Sequence, residues 1–361
     1  MQQFRKLGTI SGALAMAMAA GAAQAEDGYF AGQEVDIIVP FGVGGATYVS
    51  ARFLEPYFER HLPGNPTVNI IDRPGGGSIL GANWFEDNAN DDGTTVLFTT
   101  SSTSNPFVLG QEEVDYDLAS YRVAYSHPFS SVGYINPDLG VEDHTGILDV
   151  ADQLIYGGIA AAASDLPGLL SFEVLDLPVN TVLGFDGRGP VRLAYERGEV
   201  NFDYQFTPVY LTQVVPAIEE GTATPLWTGG SVDDDGNLTA RDDIAPDLPS
   251  VHEVYVDLYG EEPSGVEWDA FESIASITYA YGLTGYVHPD TPDEALDAFA
   301  EAAEAINNDP EFQEESEEVT GGARLNAGLD VEGDIMAALE PSDEVVDYLR
   351  ELLADKYDVS F

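Results

Sequence analysis

Three short stretches rich in glycine and small hydroxyl residues are the part of this sequence best suited to chemistry. They are Gly42-Val43-Gly44-Gly45-Ala46-Thr47, Gly75-Gly76-Gly77-Ser78 and Thr99-Thr100-Ser101-Ser102-Thr103. Each follows an apolar, β-branched run that predicts a buried strand. Backbone N–H groups in such loops, at the start of a helix, suit the binding of an anion. In open α/β sheets ligands bind beyond the carboxyl ends of strands, so we expect all three loops at one sheet edge.

The elements that position these loops follow from the hydrophobic periodicity. Strands are predicted at 35–41, 68–71 and 94–98, and a helix at 47–61 in which Pro56 predicts a kink or an early end. The stretch 99–106 is interpreted as a loop. In the middle third, strands near 154–157, 181–185 and 200–204 alternate with helices, and the apolar run 274–287 is expected to return to the first part of the chain. This alternation is typical of an α/β protein.

A fourth glycine-rich strand exit, residues 184–190, contains Arg188, and the strand at 200–204 ends in Asp203 and Tyr204. A guanidinium binds a carboxylate through two parallel hydrogen bonds, so Arg188 is a candidate clamp for an acidic ligand. Arg73, in the second loop, is a candidate of the same kind. The alternative for both arginines is an ordinary surface ion pair, because acidic partners are abundant.

The N-terminus predicts a secretory signal peptide over residues 1–25. Arg5 and Lys6 precede an apolar run that ends in Ala23-Gln24-Ala25, which fits the small-residue rule for cleavage. The run is interrupted by glycines, so a retained membrane anchor is the weaker alternative. We therefore expect a mature chain that begins near Glu26 and works in the periplasm.

The charge is extreme: 64 acidic residues stand against 13 basic ones, a formal net charge of −51. Because 44% of the residues are hydrophobic, this is not the composition of a disordered chain. Self-repulsion on this scale is relieved by screening at molar salt, so a halophilic source is expected. Binding to nucleic acid or to an anionic membrane is excluded. The absence of cysteine excludes disulfides, thiolate metal sites and a cysteine nucleophile.

Enzymatic and cofactor motifs are weak or missing. The glycine loops lack the lysine of a P-loop, and no dinucleotide-binding fingerprint follows a strand. No Gly-x-Ser-x-Gly elbow occurs. The run Asp233-Asp234-Asp235-Gly236-Asn237 places its glycine too early for an EF-hand, so a solvated turn is expected. The histidines have no metal-binding spacing; they are His61, His127, His144, His252 and His288. No metal or cofactor is predicted, and a secreted hydrolase that uses paired acids stays an alternative.

Taken together, these segments resemble the substrate-binding receptors of tripartite tricarboxylate transporters, the Bug-type periplasmic proteins. The resemblance spans nearly the whole mature chain in the right order. It rests on Val39-Pro40-Phe41-Gly42-Val43-Gly44-Gly45-Ala46-Thr47, Asp72-Arg73-Pro74-Gly75-Gly76-Gly77, Asp91-Asp92-Gly93-Thr94-Thr95-Val96-Leu97, Gly187-Arg188-Gly189-Pro190, Gly198-Glu199-Val200-Asn201 and Pro246-Asp247-Leu248-Pro249-Ser250-Val251. Three departures are Tyr48 for a frequent aspartate, Asp72 for asparagine and Arg188 for glycine. The segment 253–273 is longer than usual, and its role is open.

The resemblance implies a type-II periplasmic-binding-protein fold of two α/β lobes with the ligand between them. Lobe one would comprise 26–127 and 286–361, and lobe two 128–285. The implied partners are a small carboxylate and the large and small membrane subunits of the transporter, and the receptor is expected to be a monomer without catalytic residues. An ABC or TRAP uptake system is the alternative. A tricarboxylate, a dicarboxylate, an aromatic acid and an amino acid all remain open as ligands.

We expect the ligand carboxylate to lie against backbone amides of the first two loops, with hydroxyl groups nearby and lobe two at its far end. The predicted ligand-binding residues are Val43, Gly44, Gly45, Ala46, Thr47, Arg73, Gly75, Gly76, Ser78, Ser101, Ser102, Arg188, Asp203 and Tyr204.

Overall fold

Two separate β-sheets, each covered by helices, organise the chain in a computed structural model. The structure describes residues 28–231, 238, 241–242 and 244–361. The predicted signal peptide and the acidic run at 233–237 lie outside the described residues. Across the described part, no helix combines the length and the apolar character needed to span a membrane.

The first sheet has six strands in the order β11-β4-β10-β3-β1-β2. Its strands are β1 (Glu34–Val39), β2 (Thr67–Asp72), β3 (Thr95–Thr99), β4 (Arg122–His127), β10 (Leu283–Val287) and β11 (Asn326–Ala327). β1 runs parallel to both β2 and β3, whereas β10 and β11 pair antiparallel with their neighbours. The carboxyl ends of the first three strands therefore share one edge, as predicted.

The second sheet has five strands in the order β7-β6-β8-β5-β9. Its strands are β5 (Ser131–Ile135), β6 (Ile155–Gly157), β7 (Asn180–Val182), β8 (Phe202–Phe206) and β9 (Thr224–Thr228). β6 runs parallel to β7 and β8, and β5 pairs antiparallel with β8 and β9. The predicted α/β class is confirmed, and both sheets are mixed.

Thirteen α-helices occur among the described residues. They are α1 (Ala46–His61), α2 (Ile79–Asn88), α3 (Ser101–Leu109), α4 (Leu166–Val174), α5 (Arg188–Glu196), α6 (Thr207–Val209), α7 (Val215–Glu219), α8 (Val251–Tyr259), α9 (Val266–Tyr279), α10 (Asp293–Asn307), α11 (Pro310–Val319), α12 (Gly328–Ala338) and α13 (Asp343–Tyr357). A π-helical turn, Tyr210–Val214, joins α6 to α7. The unusually long segment 253–273 forms most of α8 and half of α9.

One expectation about local structure is wrong. The stretch 99–106, expected to be a loop, enters α3 at Ser101, because Thr100 caps the helix by accepting from the Ser102 N–H and the serine side chains are buried. Serine and threonine have modest helix propensity, and tertiary burial overrides it here. α1 contains Pro56 and continues to His61, as predicted for 47–61, so the helix does not end early, and a kink at Pro56 stays a prediction.

The two segments that connect the sheets lie side by side. One follows β4 and the other precedes β10, and they are joined by a β-bridge between His127 and Gly282. Gly282 has a φ of +51°, and a Cβ there would lie 2.3 Å from the Phe129 ring, so only glycine fits this close approach. The chain thus crosses between the sheets at one narrow place, and the apolar run 274–287 does return to the first sheet through β10.

Candidate functional site

The first helix begins at the carboxyl end of β1 without a capping side chain. Its N-cap is Gly45, in extended conformation, and its first turn carries no acidic residue. The leading N–H groups of a helix have no partner within the helix and carry a partial positive charge. α2 and α4 begin in the same way, so the feature gains significance only from what lies beside it. This end of α1 is suited to an external anion.

A second helix, α5, also begins at a glycine-rich loop, beside the second sheet. α5 has Gly187 as its N-cap, again without a capping side chain and without an acidic residue in its first turn. Arg188 and Gly189 occupy its first two positions. The glycine-rich exit at 184–190 thus repeats, in the second sheet, the arrangement of the first loop.

Both helix starts line one cavity of about 200 Å³. Gly44 and Gly45 contribute from the first sheet, and Arg188 and Gly189 from α5. The remaining lining residues are Val49, Arg192, Gln205, Val209, Thr212 and Gln213. Of the predicted site residues, the structure therefore brings Gly44, Gly45 and Arg188 together. The donors are backbone amides, arginine and glutamine, which favour a small anion.

The guanidinium of Arg188 is already bound inside the protein. One terminal nitrogen donates to Asp165 at 2.8 Å and to the Tyr156 hydroxyl at 3.1 Å. The other donates to Asp203 and to the Tyr204 carbonyl, the latter at 2.7 Å. Only its Nε has no hydrogen-bond partner among the described residues. This corrects the interpretation of Arg188 as a free clamp: its charge ties the start of α5 to two buried carboxylates.

Asp203 and Tyr204 do not line this cavity. Asp203 is fully buried, and besides Arg188 it accepts hydrogen bonds from the Tyr134 hydroxyl (2.6 Å) and the Gln205 amide (2.9 Å). Burial raises the pKa of Asp203, and the nearby Arg188 charge and these hydrogen bonds oppose that increase. The Tyr204 ring lies 4.2 Å from the guanidinium carbon of Arg188, in a cation–π contact. Both residues support Arg188 and neither lines the 200 Å³ cavity, and contact between them and the ligand stays a prediction.

The second and third loops border a smaller cavity of about 70 Å³. Gly76 and Ser102 line it from the first sheet, and 160–163 line it from the second. The Ser102 hydroxyl accepts from the Ser164 N–H at 3.0 Å, so the two halves of the chain touch here. The three loops therefore share an edge but contribute to two separate cavities.

The other predicted residues do not line either cavity. Ala46 and Thr47 lie in the first turn of α1, and Val43 is largely exposed. Gly75 is followed by Gly76, which lines the second cavity. The Arg73 guanidinium carbon lies 3.6 Å from the Trp84 ring centroid. Ser78 is buried and accepts from the Thr103 hydroxyl at 2.9 Å. Ser101 is buried beside a void no larger than one water.

Several cavity residues were missed by sequence reasoning. Arg192 lies one helical turn after Arg188, and Gln205 lies two strand residues after Asp203. Each spacing places the missed residue on the same face of its element as a predicted site residue, so both could have been found from the sequence. Thr212 and Gln213 lie on the π-helical turn, and no sequence pattern marks them. In the described ranges no group of three or more histidine, aspartate or glutamate side chains is placed to hold a metal ion.

No protein-family model and no curated protein matches the sequence. Solved structures do match. A periplasmic binding protein, BugD, is 20% identical with a TM-score of 0.63, covering 91% of this chain and 98% of its own. A protein of R. palustris solved with adipate is 18% identical with a TM-score of 0.66, over the same shares. MatC from Rhodopseudomonas palustris, solved with malate, is 17% identical with a TM-score of 0.60, covering 90% and 98%. The chain therefore has the two-lobed α/β fold of periplasmic solute-binding proteins.

Proposed function

We propose that this protein is an extracytoplasmic receptor that captures a small carboxylate and delivers it to a membrane transporter of the tripartite tricarboxylate type. The observation that carries the proposal is the convergence of two uncapped helix starts, α1 and α5, on one cavity between the two sheets. Each presents backbone N–H groups and a positive dipole end to the same space. Adipate and malate, named for two structural neighbours, are anions of the kind this cavity suits.

No lysine lines this cavity, which is consistent with this mechanism. Fixed amide dipoles hold an anion without a mobile cation, and they keep their polarity in molar salt. Arg188 then acts as a positioning residue, because its bonds to Asp165 and Asp203 fix the start of α5 beside the cavity. Binding and release involve no covalent step, and we infer a receptor instead of an enzyme.

We place the ligand between two lobes that close around it. Lobe one comprises residues up to 127 and the C-terminal part, and lobe two the segment between them. Because β10 pairs with β3 and β4 from Leu283 onward, we put the second crossing before this strand instead of at residue 286. Asn105 Nδ2 donates to the Ala163 carbonyl at 3.0 Å in this structure, and we assign this contact between the lobes to the closed state. A ligand with higher affinity for the closed state drives such a transition.

A thermal-shift screen in molar salt tests binding. The panel contains aliphatic mono-, di- and tricarboxylates, aromatic acids and amino acids, with neutral amides as controls. A carboxylate that raises the melting temperature in a saturable way, and is recovered unchanged, supports the proposal, since ligand stabilises by RT ln(1 + [L]/Kd). Conversion of the added compound into a product would indicate an enzyme. Loss of uptake of that carboxylate in cells lacking the gene tests delivery to the transporter, and size-exclusion chromatography tests the monomer.

A further inference from the structure

A larger cavity adjoins the candidate site. It measures about 520 Å³ and lies between α5 and the helical segment 207–219. Arg192 and Gln213 line both this cavity and the 200 Å³ one. We refer to the two together as the α5 groove. The space beside the ligand site is therefore larger than a compact diacid would fill.

The lining residues show that the groove follows the helices. On α5, the residues that border it are spaced at Arg188, Arg192 and Tyr195, one turn apart on one face. On the opposite wall, Val209, Gln213 and the pair at 216–217 follow the same spacing. The groove therefore begins at the uncapped start of α5 and continues to its C-terminal end. Nine residues of helix give it a length of about 13 Å.

The chemistry of the walls changes along this length. The near end has the backbone amides at the starts of α1 and α5, which suit a carboxylate, and the Arg188 guanidinium beside them is bound to Asp165 and Asp203. The wide part has the rings of Tyr134 and Tyr195 with Pro216 and Ala217. Uncharged polar side chains line it in similar proportion; they are Asn136, Gln213 and Thr222. Both kinds of group can contact an uncharged chain. Acidic residues also line the wide part; they are Asp138, Glu196 and Glu220. Of these, Glu196 is paired with Arg192. A second carboxylate on the ligand would meet repulsion there.

We propose that the ligand is a monocarboxylate with a long uncharged chain, whose acid end lies at the starts of α1 and α5 and whose chain lies in the α5 groove. This inference rests on the proposed function and specifies its substrate class. It predicts a preference that differs from that suggested by the neighbours solved with adipate and malate.

Calorimetric titration of the full chain in molar salt decides the matter. The probes are butyrate, hexanoate, octanoate and decanoate, with suberate and adipate as diacids. We expect affinity to rise about two- to fourfold with each added methylene, because each one buries apolar surface. Octanoate should bind at least tenfold more tightly than suberate, with one molecule per chain. Diacids that bind as well as or better than monoacids, no gain with chain length, or two independent sites would overturn the proposal.

A groove-filling variant adds a second readout. Ala217 lines only the wide part, so Ala217→Phe should weaken decanoate at least tenfold and leave butyrate within twofold. The matched control is Ala337→Phe at an exposed position of α12. Equal weakening of short and long acids by Ala217→Phe would overturn the groove assignment. If the variant does not fold, the chain-length series on the unaltered protein decides alone. Absence of binding by every carboxylate, short or long, would refute the proposed function itself.

Discussion

Substitution of Gly45 tests the role of the first helix start, because the fold does not require glycine there. Gly45 has φ −79° and ψ 162°, a conformation that β-branched residues adopt readily. A Cβ at this position would have a single neighbour within 4 Å, the Gly42 carbonyl oxygen at 3.8 Å. Gly45→Val replaces a favoured N-cap residue, which destabilises the fold by about 1 kcal/mol. It also lowers the conformational entropy of the unfolded chain, which stabilises the fold by about 0.4–1 kcal/mol. The two effects nearly cancel, so the melting temperature without ligand should change little.

Binding should respond quite differently. The valine side chain enters a cavity of about 200 Å³ and covers the amides that we assign to the carboxylate. Loss of one charged hydrogen bond costs about 1.5–3 kcal/mol, which is tenfold or more in affinity. Gly45→Asp sharpens the test. Aspartate is a good N-cap and should preserve or raise stability, whereas its negative charge at the anion site should abolish carboxylate binding.

The assay is calorimetric titration with the carboxylate that gives the largest thermal shift, paired with melting curves without ligand. Gly42→Val is the matched control: it lies in the same loop, has open space for a Cβ and does not line the cavity. We expect Gly42→Val to bind normally. Unchanged affinity in Gly45→Asp, with a normal melting temperature, would refute the assignment of the anion to the start of α1. A large loss of unliganded stability in Gly45→Val would contradict the packing argument.

Three further predictions concern the fold and its environment. Arg188→Ala should lower the free energy of unfolding, measured by urea denaturation, by about 3–5 kcal/mol, because it leaves Asp165 and Asp203 buried without a cation. A variant with unchanged stability and weaker ligand binding would instead indicate that Arg188 contacts the ligand directly. Burial lowers the pKa of His127 to about 4, so the unfolded chain binds this proton at a higher pH than the folded chain does. The free energy of unfolding should therefore fall by up to about 3 kcal/mol between about pH 6.5 and pH 4, and His127→Gln should lack this loss. Parallel curves of unfolding free energy against pH for the two proteins would contradict this prediction. The net charge of −51 predicts unfolding at low ionic strength, and circular dichroism from about 0.05 M to 3 M NaCl should show it, whereas constant melting across that range would exclude a halophilic adaptation.

Local signals made the first half of the site predictable. A buried strand followed by glycines fixes where β1 ends and where α1 begins, and the parallel order of β1 to β3 follows from the alternating elements. The position of Gly45 beside the cavity could therefore be predicted. α3 could not be, since Ser101 to Ser104 favour helix only once burial and the Thr100 cap are known.

The second half depended on pairings between distant residues. Asp165 precedes α4, Asp203 lies in β8 and Tyr156 in β6, and only the parallel contact of β6 with β8 brings them to Arg188. A lone arginine in a glycine-rich loop therefore looks the same in the sequence whether it binds a ligand or two internal carboxylates. The α5 groove was also invisible, because it arises from the packing of two helices whose relative placement no local pattern specifies.

A crystal structure with the bound carboxylate tests the central claim most directly. We predict that the carboxylate oxygens lie about 3 Å from the backbone nitrogens at the starts of α1 and α5, near Gly45 and Gly189, between the two sheets. A carboxylate bound elsewhere, with the cavity between these helices filled only by water, would contradict the claim.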